Sequence, residues 1–251
     1  MIDSMLFTIV RKELILLYLS PLAWILLALI QLVLTWVFLG RLDAFLEIQS
    51  QLIQVANPPG ITEIIVAPVF AMAAIVLLMI TPLLTMRLLA EERRNHTFTL
   101  LVSAPISMTD IVVGKFLSLM IFYITVILLI TGLSVSMLVG GTLDFGLLLS
   151  SAMGLFLLVA CFASLGLYIS SFTMQPAIAA VGALGALLGL WVIDMVASDM
   201  DSLVHRLSLL KHFELFNRGM LDTFSIAYFV LFIVVFLVLT IRRLDGERLH
   251  G

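Results

Sequence analysis

Six runs of bilayer-spanning length dominate this chain, near residues 21–40, 64–86, 112–139, 145–170, 176–196 and 222–241. A helix needs about 20 apolar residues to cross about 30 Å of hydrocarbon. These runs are apolar on every face, whereas the strands of a membrane barrel alternate apolar with polar residues. Hydrophobic residues make up 63% of the 251, against roughly 45–50% in a soluble domain. The expected fold is all-α: a polytopic membrane protein with six transmembrane helices, built as a single transmembrane domain over residues 1–251. The short connections leave no room for a soluble catalytic domain.

Between the second and third runs lies a polar island, from Arg87 through Glu91-Glu92-Arg93-Arg94-Asn95-His96-Thr97 to Gly114-Lys115. Seven of its residues are charged, in a chain where 12% of residues are. An unpaired charge in hydrocarbon costs on the order of several kcal/mol, so the sequence predicts a water-exposed loop over 87–113. A stop-transfer cluster accounts for the arginines but not for the paired glutamates, which anionic lipid would repel. The island reads as a short helix, a turn at Pro105, and a capped start to the third span with Thr109 or Asp110 as the cap.

Orientation follows from the basic residues. Arg11, Lys12, Arg87, Arg93, Arg94, Lys115, Arg242, Arg243 and Arg248 fall on one side, nine of the 13. Arg41, Arg206, Lys211 and Arg218 fall on the other. The first side is expected to be cytoplasmic, with both termini there. Residues 1–20 are expected to form a cytoplasmic interfacial helix, capped by Asp3 or Ser4, with Leu6, Ile9, Val10 and Leu17 near one face and Arg11 and Lys12 in water. Ser20-Pro21 should break it from the first span. A second interfacial helix is expected over 41–56, with Leu42, Phe45, Leu46 and Ile53 on one stripe, ending at Asn57-Pro58-Pro59-Gly60. Residues 197–221 form the second external segment. In the fifth span, Gly185 and Gly189 make a small-xxx-small face suited to close helix packing; generic glycine enrichment accounts for them equally well.

Several chemistries are missing. No charge lies near the centre of a span, which argues against ion coupling. His205 and His212 would stand about 10.5 Å apart along a continuous helix, too far to share one metal ion. Gly114-Lys115 is followed by Phe116, and Thr109 stands where a Walker A loop would have its first glycine. Neither catalytic residues nor a metal site is expected. The single cysteine, Cys161, sits mid-span and is expected to pack in the core.

Arg11-Lys12-Glu13 with Ser20-Pro21, then Met86-Arg87…Glu91-Glu92-Arg93…Thr97…Leu100-Leu101…Pro105-Ile106…Gly114-Lys115, resemble the six-helix permease subunits of ABC-2-type transporters. So do His212-Phe213…Phe216…Arg218-Gly219…Asp222…Tyr228 and Arg242-Arg243. The pattern is most similar to the branch of gliding-motility and nitrous-oxide-reductase-maturation permeases. It departs at His96, where that family usually has glycine, and at Thr99, where it often has glutamate. The resemblance implies ABC-2 (type V exporter-like) architecture in a bacterial inner (plasma) membrane. It implies a permease subunit of an exporter that pairs with a second permease copy or a related permease and with cytoplasmic ABC ATPase subunits. Membrane lipids would surround it, and nucleic acid would not be a partner. The chain itself would bind no cofactor; ATP and Mg would sit on the partner ATPase. The loop between spans two and three would be the coupling helix, with Arg87, Glu91, Glu92, Arg93, Thr97, Pro105 and Lys115 as its coupling residues. A non-transporting anchor for a motility, pilus or enzyme-maturation machine is the rival reading.

Overall fold

The computed structural model describes residues 2–52, 60–95, 107–139, 143–196 and 208–250. Eight helices account for most of these. They are α1 (Ile2–Leu19), α2 (Pro21–Leu52), α3 (Thr62–Arg94), α4 (Met108–Val135), α5 (Phe145–Ser170), α6 (Pro176–Val196), α7 (Leu209–Asn217) and α8 (Thr223–His250). No strand occurs among the described residues. Among the described residues, five helices are long and apolar enough to cross a membrane: α2, α3, α4, α5 and α8. The residues of α6 whose side chains are described, Pro176–Val192, form a shorter apolar helix.

α5 is the hub, touching α3, α4, α6, α7 and α8. Small residues let it serve that many neighbours. A Cβ on Gly154 would stand 2.4 Å from Phe216 Cβ, and one on Gly166 would stand 2.4 Å from Thr85 Oγ1. Without side chains there, α7 and α3 come close enough for dispersion and hydrogen bonds to hold helices that gain nothing from leaving water. Ser150 Oγ donates to the Phe216 carbonyl at 2.8 Å, and Cys161 is fully buried in the same core.

α3 is irregular at both ends and in the middle. Thr62–Val66 and Arg87–Glu91 are π-helical turns, and Pro82 interrupts the ladder between them. Thr81 and Thr85 bond back to the Leu77 and Thr81 carbonyls at 2.6 and 3.1 Å, and Tyr123 donates to Thr81 Oγ1 at 2.9 Å. The second π turn is held from outside: Ser170 Oγ accepts from Ala90 N at 3.1 Å. π turns of this kind redirect the side chains that follow them.

Several expectations are corrected. The helix over 41–56 is not separate, because α2 runs unbroken from Pro21 to Leu52. Gly40 and Arg41 do not stop it; a lone glycine costs a helix only about 1 kcal/mol. The cap of α4 is Ser107, whose Oγ accepts from Asp110 N at 3.0 Å, so Thr109 and Asp110 lie inside the helix. α1 begins at Ile2, which puts Asp3 and Ser4 within its first turn. Gly185 and Gly189 have open space where a Cβ would go, so the close packing falls instead to Gly154 and Gly166 of α5.

Candidate functional site: a charged end and an aromatic end

The charges of the island turn inward. Lys115 lies on the same stripe of α4 as Ile111, Val112 and Leu119, and it is 1% exposed. Its Nζ stands 2.8 Å from Glu92 Oε1 and 3.0 Å from Glu13 Oε1. Lys12, half exposed, adds a second cation at 3.7 Å from Glu13 and 3.9 Å from Glu92. Two carboxylates thus share one buried ammonium and one solvated one. This constellation ties α1, the end of α3 and the start of α4 into a single electrostatic unit.

Gly114 makes that approach possible. A Cβ there would stand 2.8 Å from Ile9 Cγ2, so any side chain would push α1 off α4 and pull Glu13 from Lys115. The neighbouring residue on α3 points elsewhere. Arg93 forms a two-pronged pair with Glu247 of α8, Nη2 to Oε2 at 2.6 Å and Nη1 to Oε1 at 3.2 Å. Arg243 joins the same carboxylate at 3.6 Å. Consecutive residues Glu92 and Arg93 therefore clamp two different parts of the bundle. They also set α1 and the C-terminal part of α8 at the same end of the molecule.

The expectation of a water-exposed loop over 87–113 fails at Glu92 and Arg93, whose side chains are 14% and 8% exposed, and Lys115 just beyond it is 1% exposed. Burial of an isolated charge is costly, and pairing with hydrogen bonds offsets much of that cost. Arg87 and Arg94 stay exposed, and Glu91 is partly so. Arg87 Nη1 donates to Ser20 Oγ at 3.0 Å. Thr97 and Pro105 lie outside the described residues, as do His96, Thr99 and His205.

The opposite end is built from rings and caps. His212 is buried, its Nδ1 2.9 Å from Ser225 Oγ and its ring 4.7 Å from Tyr228. It is therefore a core residue. Phe213 and Phe216 fill the space over Gly154. Gly219 takes φ +79°, a left-handed conformation that only glycine adopts freely, and ends α7 as its N–H reaches the Phe216 carbonyl at 2.9 Å. Asp222 caps α8, accepting from Phe224 N and Ser225 N, each at 3.3 Å. Arg218 is exposed and pairs with Glu214 one turn earlier. The motif from His212 to Tyr228 is thus a folded corner joining α7 and α8 to α5. Among the described residues no group of three or more metal-ligating side chains comes together.

This arrangement of long apolar helices with a charged clamp at one end agrees with a comparison to known families. Residues 7–249 match the family described as ABC-2 family transporter protein. The chain belongs to that family. It is a membrane permease subunit of an ABC transporter, a multi-pass membrane protein that is not itself the ATPase, and membrane subunits of this kind work with ABC ATPase partners. Among curated proteins none matches the chain.

Sequence reasoning misses Glu13 and Glu247 as site residues, and only Glu13 carries a signal. Glu13 interrupts the apolar stripe of α1, falling four after Ile9 and four before Leu17. Lys115 interrupts the stripe of α4 in the same way. A charge on a buried stripe demands a counter-charge, so each announces the other. Glu247 has no such signal, since it stands among other charged residues near the end of α8.

Proposed function

We propose that this permease couples to a cytoplasmic ABC ATPase through the segment 96–106, and that the two ion-pair clamps on either side of that segment carry the motion into the bundle. One observation supports the reading most. Glu92 and Arg93, at the end of α3, and Lys115, near the start of α4, flank the segment in sequence and are tied to α1 and α8. A push on 96–106 therefore reaches four helices at once. In this reading Glu91, Arg94, Thr97 and Pro105 are the contact residues. Glu92, Arg93 and Lys115, with Glu13 and Glu247, transmit and do not touch the partner. Arg87 stands beside them at the turn. The charged end faces the cytoplasm of a bacterial inner membrane, a second permease copy or related permease completes the translocation path, and ATP and Mg stay on the ATPase. The likeness to gliding-motility and nitrous-oxide-reductase-maturation permeases favours an exporter of that branch.

The test is co-purification. The permease is expected to bring down an ATPase subunit and to raise its hydrolysis over that of the free subunit. Capture of some other machine, with no ATPase present, would favour the anchor reading and overturn this one.

A further inference from the structure

A cavity of about 400 Å³ opens beside the buried lysine, between α1, the first turn of α2 and the end of α3. It exists because the chain bends at Ser20-Pro21, which lays α1 against α4 while α2 departs at an angle. Its volume lies within the roughly 300–1,000 Å³ of small-molecule sites. One half is apolar, lined by Leu16, Leu17, Leu84 and Leu88. The other carries six charged residues, three of each sign.

Four of those six, Lys12, Glu13, Glu92 and Lys115, already satisfy one another. Arg87 and Glu91 do not. They lie one turn apart, but the π-helical turn they belong to sets them out of register. Neither makes an ion pair with any described residue; Arg87 has only Ser20 Oγ, at 3.0 Å. The cavity therefore offers one guanidinium and one carboxylate, separated, above a leucine-lined floor.

We propose that this cavity holds one phospholipid with an amine-bearing zwitterionic headgroup. Its phosphate would sit on Arg87 and Ser20, its ammonium on Glu91, and its first acyl carbons on the leucines. An arginine fork suits a phosphate. A purely anionic headgroup would leave Glu91 unpaired beside its phosphate, and a soluble phosphate would leave the leucines wet. The depth also fits. Trp24 is 60% exposed and donates Nε1 to the Tyr18 carbonyl at 2.7 Å, and such half-anchored aromatic pairs sit at headgroup level. The cavity lies at the same bend. This inference shares Glu91 with the coupling proposal, but its readout, lipid retention by the permease alone, needs no ATPase and does not rest on that reading.

The probe is a nanodisc of equal parts phosphatidylethanolamine and phosphatidylglycerol holding the permease, followed by release into mild detergent and native mass spectrometry. The wild-type chain is expected to retain one phosphatidylethanolamine, enriched about tenfold over phosphatidylglycerol, the ratio that one good charged contact supplies. Glu91→Gln should bring the two lipids to parity. Arg87→Gln should empty the site of both. Leu16→Trp, a change at an exposed position, fills the apolar half and should also empty it, which keeps the test alive if a charge variant fails to fold. Soluble phosphoethanolamine in excess should not displace the lipid; if it does, the ligand is a headgroup and the lipid proposal falls. Retention of no lipid by the wild type, or an unchanged lipid ratio in Glu91→Gln, also overturns it.

Discussion

The two ends of this bundle are held by opposite means. At one end, seven charged side chains — Lys12, Glu13, Glu92, Arg93, Lys115, Arg243 and Glu247 — are joined into two clamps. At the other, rings, helix caps and a left-handed glycine close a corner with a single exposed ion pair, Arg218 to Glu214, among the described residues. Ring packing has no alternative partners and resists repacking. A charge in a buried ion pair is costly to leave without a partner, but it can exchange one counter-charge for another. The difference assigns rigidity to the aromatic end and the capacity to switch to the charged end.

The comparison breaks most visibly at Lys115. Lys115→Met removes the buried cation between Glu13 and Glu92 and should lower stability in detergent by about 3–5 kcal/mol. A loss under about 1 kcal/mol in denaturant or thermal unfolding would mean that water reaches Glu13 and Glu92 freely. At the aromatic end, Gly154→Ala forces a Cβ to within 2.4 Å of Phe216 Cβ, and overpacking of that kind costs about 1–3 kcal/mol. Gly185→Ala, in open space, should cost nothing in the isolated chain by the same measurement, and the contrast sharpens the claim that α5 and not α6 makes the close approaches.

Smaller effects follow. Arg93→Gln should cost about 1 kcal/mol, since its partner Glu247 is 32% exposed and water replaces part of the pair. Arg218→Ala removes a pair exposed on both sides and should cost about 0.5 kcal/mol or less. If Arg218→Ala proves as costly as Arg93→Gln, the division between the two ends fails.

Much of the fold could be read from hydropathy, because burial in lipid and burial in protein both demand apolar residues. What hydropathy does not distinguish is which of those two burials a residue meets. Leu128 and Leu119 read alike in the sequence, yet one is 65% exposed and the other fully buried. The same blindness misdirected Gly185 and Gly189 and hid Gly154 and Gly166. The site was half legible. The run from Glu91 to Lys115 stood out as charged, but its direction did not, because the π turn before Glu92 rotates the side chains inward and no residue pattern signals a π turn. The His212–Tyr228 motif was visible as a motif, and its role as a corner became plain only from Gly219 and the rings around His212.

In the proposed coupling, Glu92 acts by pairing with Lys115 and not by touching the ATPase. That role is tested by exchanging the two charges. Glu92→Lys alone and Lys115→Glu alone should each lose permease-stimulated ATP hydrolysis, at membrane levels matched to the wild type. The double exchange keeps two lysines and two glutamates in the cluster and should restore most of that stimulation. If Glu92 instead meets the ATPase directly, the double variant will bind and stimulate it no better than Glu92→Lys alone, and the transmission account is contradicted.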